Sequence, residues 1–478
     1  MGIANYEIVV GLEVHVELKT DTKLFCSCST KFGAPANTQC CPVCMGFPGA
    51  LPVWNRRAVE LAVLAGLALD CSISSYSRAD RKQYFYPDLP KAYQISQGDY
   101  PLCRDGGLTV SLGNEKKRIR ISRIHIEEDA GKLVHRGEST LVDGNRCGVP
   151  LIEIVTEADF RSGEEATAYL QQLRAVLLTA GISDCKMQEG SLRCDVNLSV
   201  RKEGSQALGA RTEIKNINSF AFVRKAIEYE AKRQIEVLES GGSIPMQTRR
   251  FDAATGKTEL MRVKERSEDY RLLPEADLPP LLLSEQDMEA IRRTLPELPA
   301  ARLSRLVEQY GIGEQSAAVL TSVSALADYF ECGAKATAYP ALLSNLLINE
   351  LLRDFDGEEF ASSISPLHLA ELAELLGEET INSATAKKLL PRLTEGESTP
   401  RAIVEAEKLS QIRDGEILLG YIRTATEETP CAVADYRNGK RAALQALLGR
   451  VMALSAGRAD PTLARTLLED VLKQNDNL

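Results

Sequence analysis

RIRISRIHIEEDAGKLVHRGESTLVDGNRCGVPLIEIVTE, residues 118–157, decides the reading of the fold. Ile119, Ile121, Ile124 and Ile126 form a first β-type run, which ends in Glu127, Glu128 and Asp129 beside His125. Leu151, Ile152, Ile154 and Val155 form a second, with Glu153 inside it, and Asp143-Gly-Asn-Arg146 joins the two. Branched aliphatic residues at this density favour strands. A carboxylate within such a run is costly to bury unless a cation, a hydrogen-bond donor or a metal compensates it. One acidic strand residue reads as an ordinary solvated face. Several such strands in one chain read as a site.

The flanking sequence supplies them. In Ile8–Leu18, Ile8, Val10, Leu12, Val14, Val16 and Leu18 point one way, while Gly11, Glu13, His15 and Glu17 point the other. A carboxylate–imidazole–carboxylate row suits a divalent cation or a phosphate-bearing ligand above a sheet. His15 stands out because the chain has only 4 histidines. Downstream, Arg193, Asp195, Asn197 and Ser199 share one face of Arg193–Val200, and Arg211, Glu213 and Lys215 share one face of Arg211–Ile217. Together these faces suit a nucleotide–metal cleft, with carboxylates holding cations and Arg193, Arg211 and Lys215 as candidates for phosphate. Neither GxxxxGK[ST] nor GxGxxG occurs, so a P-loop or dinucleotide-binding reading has no support.

Cys26-Ser-Cys28 and Cys41-Pro-Val-Cys44 form a CxC and a CxxC separated by twelve residues. Four thiolates at this spacing close a tetrahedral zinc site, structural because no ligand position is left open. The Cys40-Cys41 doublet lets either residue face the metal, and a set of reduced buried thiols is the alternative. Arg56–Leu69 reads as a helix. Arg81–Gln97, with two prolines, several tyrosines, Lys82 and Lys91, reads as a rigid, ligand-facing loop or a well-packed connector.

Composition sets the outer limits. A chain of 478 residues suggests two to four domains, and 44% hydrophobic with 26% charged residues is the profile of a globular protein. No apolar run is long enough to span a bilayer and no secretory signal is evident, so the expected location is the cytoplasm. There, 12 cysteines are not a disulfide framework. A net charge of −10 argues against nonspecific nucleic-acid binding by the whole surface. Ser219–Glu239 reads as a helix, and Thr248–Asp252, Thr255-Gly256 and Arg262–Pro274 as a charged, turn-rich section. Beyond about residue 285 the pattern is almost wholly helical, with a linker at Thr394–Pro400. The expected domains are 1–290, 291–405 and 406–478. In the last, Asp435–Arg465 holds six basic residues (Arg437, Lys440, Arg441, Arg450, Arg458, Arg465) against two acidic ones, a local charge of +4. Arg437, Lys440, Arg441 and Arg450 read either as solubilising charges or as phosphate contacts.

VGLEVHVEL, KLFCSC, CPVCMGFPGALPVWN, RKQYFYPDLPKAYQISQ, HIEEDAGK, NRCGVPLIEIVTEAD, MQEGSLRCDVNLSVR, RTEIKNINSF and DYRLLPEADLPPL resemble, in sequence and order, the GatB family of the bacterial aspartyl/glutamyl-tRNA amidotransferases. The resemblance runs specifically from about residue 6 to 281 and more loosely to DYRNGK and VMALSAGRADP. Glu405–Pro430 follows the family pattern poorly, and Cys147 stands where a small residue is usual. The resemblance implies an α+β catalytic half, an antiparallel sheet like that of glutamine synthetase and guanido kinases, followed by an all-α helical domain and a small all-α tail domain. It implies ATP-dependent conversion of misacylated Glu-tRNA(Gln) or Asp-tRNA(Asn) to the amide. The implied assembly is a heterotrimer, with a glutaminase partner supplying ammonia and a third, small partner. By the same resemblance, Glu13, His15, Glu128 and Glu153 are the expected Mg²⁺ ligands and Asp195 a further acidic residue of the site. Lys82 and Lys91 match the ammonia route, Cys26, Cys28, Cys41 and Cys44 the zinc knuckle, and the basic tail a surface for tRNA. Two other readings are a free-standing ligase for a small carboxylate and a noncatalytic tRNA-binding module. The helical tail argues against the first, the acidic strand faces against the second.

Overall fold

Val10, Leu12, Val14 and Val16 alternate with polar residues, so Tyr6–Glu17 forms a strand, β1, with one apolar face. A computed structural model of the chain describes residues 5–113, 115–263, 272–353, 355, 360–394 and 398–474, in two units, Met1–Leu298 and Pro299–Leu478. In the first unit β1 is followed by α1 (Arg56–Ala68), β2 (Ser72–Ile73), β3 (Tyr76–Ser77), β4 (Asp80–Gln83) and β5 (Tyr93–Ser96). Next come β6 (Cys103–Leu112), β7 (Glu115–Glu128), β8 (Lys132–Arg136), β9 (Ser139–Asp143) and β10 (Pro150–Thr156). α2 (Gly163–Thr179), β11 (Leu192–Lys202), β12 (Thr212–Lys215), α3 (Phe220–Glu239), β13 (Gln247–Asp252) and β14 (Lys257–Val263) complete the main body.

The main sheet has nine strands in the order β14-β13-β12-β11-β1-β10-β7-β6-β2. Its strands pair antiparallel except β12 with β13, which run parallel. The expectation of a purely antiparallel sheet is therefore corrected to a mixed one. The reason is local: α3 lies between β12 and β13, and a helical crossover returns the chain in the same direction. Below the sheet, Leu12, Val14, Ile124, Ile126, Ile152, Ile154, Val196 and Leu198 join the core formed with α1, α2 and α3. Asn55, Ser162 and Ser219 cap these helices, each accepting from a backbone N–H in the first turn.

Arg81–Gln97 is not a loop throughout. Its ends pair antiparallel as β4 and β5, and Leu273–Pro274 adds a third strand to them. The section expected to be turn-rich from Thr248 onward is instead a strand pair at first, since Thr248–Asp252 lies in β13 and pairs antiparallel with β14 around a turn at Gly256. Its residues 264–271 lie outside the described residues, as do 395–397 of the linker. The second unit is helical and holds two separate apolar cores, one from Leu306 to Val404 and one from Leu418 to Leu472. Among the described residues no helix is long and apolar enough to cross a membrane.

Candidate active site and cysteine knuckle

Pairing puts the polar residues of four strands side by side. His15 lies opposite Glu153 on one side and Arg193 on the other, Glu13 lies opposite Asp195, and Glu153 lies opposite His125. Residues directly opposite share a face, so these side chains project together above the sheet. Glu13, His15, His125, Glu153 and Asp195 line a cavity of about 440 Å³ with Lys82, Ser96, Gln97, Arg123, Asn197, Arg211, Glu213 and Lys215.

Two groups with ligand geometry stand on this face. His15, Glu127 and Glu153 bring ligand atoms within 4.8 Å of one another, and so do Glu13, Asp195 and Glu213. In the first, His15 Nε2 is 3.4 Å from Glu127 Oε1 and 3.5 Å from Glu153 Oε2, and His125 Nε2 is 3.2 Å from the same Glu153 oxygen. Burial lowers the His15 pKa, but the hydrogen bond and charge of Glu153, with Glu127 and Asp195, outweigh it and raise it to about 9. Burial pushes the Glu153 carboxyl up, and the two imidazoles overcome that and hold it well below the usual range. Glu127 is raised, by burial first and then by the charge of Glu153. Such a group is short of positive charge, and its carboxylate oxygens and imidazole suit a hard divalent cation. In the second group Asn197 Nδ2 donates to Glu13 at 2.9 Å. Lys215 bridges Asp195 and Glu213, 2.8 Å from the latter.

Glu128 does not belong to these groups. Ile124 and Ile126 face the core, and a period of two then sends Glu128 away from the face that carries His125 and Glu127. Its Oε1 accepts from the Ile95 backbone N–H at 2.9 Å and its Oε2 from Lys91 Nζ. The parity that placed Glu13 with His15 was enough to choose Glu127 over Glu128, and to add His125 and Glu213. Arg193 is also displaced from its expected role: it pairs with Asp129 at 2.6 Å and does not line the cavity, whereas Arg211 and Lys215 do. Lys82 lines the main cavity. Lys91 lines a second one, of about 240 Å³, between the cysteine loop and the sheet.

The sulfurs of Cys26, Cys28, Cys41 and Cys44 also converge within 4.8 Å. Cys41 rather than Cys40 takes part; Cys40 Sγ lies 3.9 Å from Asn145 Oδ1. A hydrogen bond from Cys26 is the main cause that brings the Cys44 thiol down to about 4, helped by the Lys23 ammonium, while burial pushes Cys28 up to about 11. Four converging soft donors fit zinc. In the tail, Arg437, Lys440, Arg441 and Arg450 are exposed. Lys440 pairs with Asp435 at 2.9 Å and Arg450 with Glu428 at 2.6 Å.

Residues 8–289 match the family described as the GatB/GatE catalytic domain, and residues 328–472 the family described as the GatB domain. The GatB-type subunits of aspartyl/glutamyl-tRNA(Asn/Gln) amidotransferases from several bacteria are similar along nearly the whole chain. That of Caldicellulosiruptor saccharolyticus is 51% identical over 477 residues, spanning 98% of this chain and 99% of its own. That of Caldanaerobacter subterraneus is 51% identical over 473 residues, and that of Geobacillus thermodenitrificans 49% over 474, each spanning 98% of this chain and 100% of its own. With the acidic sheet face and the cysteine knuckle in place, identity of this extent means that the chain belongs to the GatB family and is one component of an aspartyl/glutamyl-tRNA amidotransferase.

Proposed function

We propose that this protein uses ATP to activate the side-chain carboxylate of misacylated Glu-tRNA(Gln), Asp-tRNA(Asn) or both, and then amidates it in the cytoplasm. Ammonia comes from a glutaminase partner, in a heterotrimer completed by a third, small partner. The acidic face above β7, β10, β1, β11 and β12 carries this reading, because it gathers two carboxylate-rich groups, all of whose residues except Glu127 line one cavity with Arg211 and Lys215.

A carboxylate is a poor acyl donor. Transfer of the γ-phosphoryl group of ATP to its oxygen releases ADP and leaves an acyl phosphate, and attack of ammonia on the acyl carbon expels phosphate. The substrates are anionic, so charge must be neutralised throughout. Mg²⁺, when bound, supplies most of that neutralisation; His15, Glu127 and Glu153 would hold one ion, and Glu13, Asp195 and Glu213 a second. Arg211 and Lys215 bind phosphate oxygens, Lys215 exchanging its carboxylate partners for them. Lys82 and the Lys91–Glu128 pair lie on the proposed ammonia path, whose walls keep out the water that would protonate ammonia.

The catalytic half is of the glutamine synthetase and guanido kinase type, zinc in Cys26, Cys28, Cys41 and Cys44 is structural, and the chain divides at about 290 and 405. Separate cores on the two sides of residue 405 support the second boundary. Arg437, Lys440, Arg441 and Arg450 contact tRNA phosphates. The decisive experiment uses the assembled complex with charged tRNA: Glu153→Gln should abolish amidation and leave glutamine binding to the partner intact. Near-normal amidation by that variant would sink the assignment.

A further inference from the structure

Lys23, on the loop after β1, is 0% exposed. A buried ammonium needs a counter-charge, because leaving it unpaired away from water is costly. Among the described residues no carboxylate pairs with Lys23. Its Nζ instead lies 3.5 Å from Cys44 Sγ and donates to the Gly144 carbonyl oxygen at 3.2 Å. Cys44 is one of the four convergent cysteines. Four thiolates around one divalent ion leave two negative charges in excess, and Lys23 is placed to offset one of them.

The same lysine reaches the rim of the second cavity. Gly148 has φ +80°, and a Cβ there would stand 3.6 Å from Cys44 Cβ, 3.8 Å from Lys23 Cδ and 3.8 Å from Glu128 Oε2. The Leu24 N–H donates to the Gly148 carbonyl at 2.8 Å, and the Gly148 N–H to that of Asp129 at 2.9 Å. Knuckle, lysine and the end of β7 therefore meet at one point.

We propose that Lys23 is a positioning residue for the knuckle metal: its ammonium is the internal counter-ion of the four-thiolate site, and its bond to Gly144 ties the loaded knuckle to the Gly144–Arg146 turn that precedes β10. This rests on the zinc reading above and adds a residue to it. Groups that hydrogen-bond to a metal's ligands set its affinity, and losing one weakens binding about 10–100-fold.

The test is Zn²⁺ affinity of the purified full chain, measured by competition with a chromophoric chelator, for wild type and Lys23→Met. Methionine keeps much of the buried volume and removes the charge. Zn²⁺ affinity should fall about 10–100-fold. Affinity reports the difference between loaded and metal-free states and also carries any packing loss in the knuckle, so the charge is separated from packing by comparing Lys23→Arg, which keeps it, with Lys23→Gln, which does not. Unchanged affinity in a folded Lys23→Met chain overturns the proposal. A wild-type chain that takes up no Zn²⁺ overturns the zinc reading itself, and Lys23 with it. If the Met variant does not fold, Lys23→Arg and Lys23→Gln carry the same test. Tighter binding by Lys23→Arg than by Lys23→Gln supports the counter-ion, and equal binding overturns it.

Discussion

Glu127 and Glu128 are chain neighbours that serve different surroundings, and their substitutions should separate. Glu127→Gln removes a charge from the group containing His15 and Glu153, so Mg²⁺-dependent ATP cleavage should need roughly tenfold more Mg²⁺ or beyond. Glu128→Gln, which touches the Lys91 ammonium and the Ile95 N–H instead, should leave that Mg²⁺ dependence close to wild type. ADP release by the assembled complex across a Mg²⁺ series measures both, and equal shifts would put both carboxylates in one site. At this scale the sequence was legible wherever period-two alternation was followed to its end. It placed Glu13, His15, Asp195, Arg211 and Lys215 on the cavity face. It misled where an acidic run, Glu127-Glu128-Asp129, was read by similarity rather than parity. The Arg193–Asp129 pair was hidden, because strand alternation gives a face but not which partner a long side chain reaches along it.

On α3, Glu230 is fully buried and accepts from Arg233, Gln234 and Thr258, with Arg249 of β13 3.4 Å away. Burial pushes its carboxyl up, and these donors outweigh burial and hold its pKa below 4.5. A carboxyl depressed in the folded state contributes stability present above 4.5 and lost as pH falls through the folded value. Glu230→Gln should therefore lower stability by about 3 kcal/mol at neutral pH. In urea titrations the gap between variant and wild type should narrow as the pH drops below 4.5. A gap that stays constant with pH would mean that the pair contributes nothing through charge. The long helices and strands were readable from their periods, and α3 began one residue after its Ser219 cap. β4 and β5 were not, since two short pieces joined through YFYPDLPKA carry too few alternations to outweigh the prolines. The parallel β12–β13 pair was equally hidden, because pairing direction depends on where a crossover lands and not on the strand's own residues.

For the whole molecule, the separate core from Leu418 to Leu472 makes the tail removable. Deleting residues 408–478 should raise the KM for aminoacyl-tRNA and make the salt dependence of binding shallower, since each lost phosphate contact removes about 0.7–0.9 from the logarithmic slope. Glutaminase activity of the complex without tRNA should hardly change. Equal tRNA affinity across the salt series would assign the tail another job. Freshly prepared, reduced full-length protein should also carry about one zinc per chain, read by elemental analysis, and none would leave the four sulfurs as buried thiols.

The register of β1 also has a consequence during synthesis. Glu13 faces Val155 on one side and Asp195 on the other, so both neighbours of β1 are made long after it, the farther one about 180 residues later. At roughly 5–20 residues per second the ribosome needs about 10–40 s to supply them. Until the nearer one, β10, is made, an alternating apolar strand is outside the ribosome or in its exit tunnel with no edge to join. Nascent chains of this protein released before residue 202 should be captured by holding chaperones or aggregate, whereas chains that extend past β14 should resist protease.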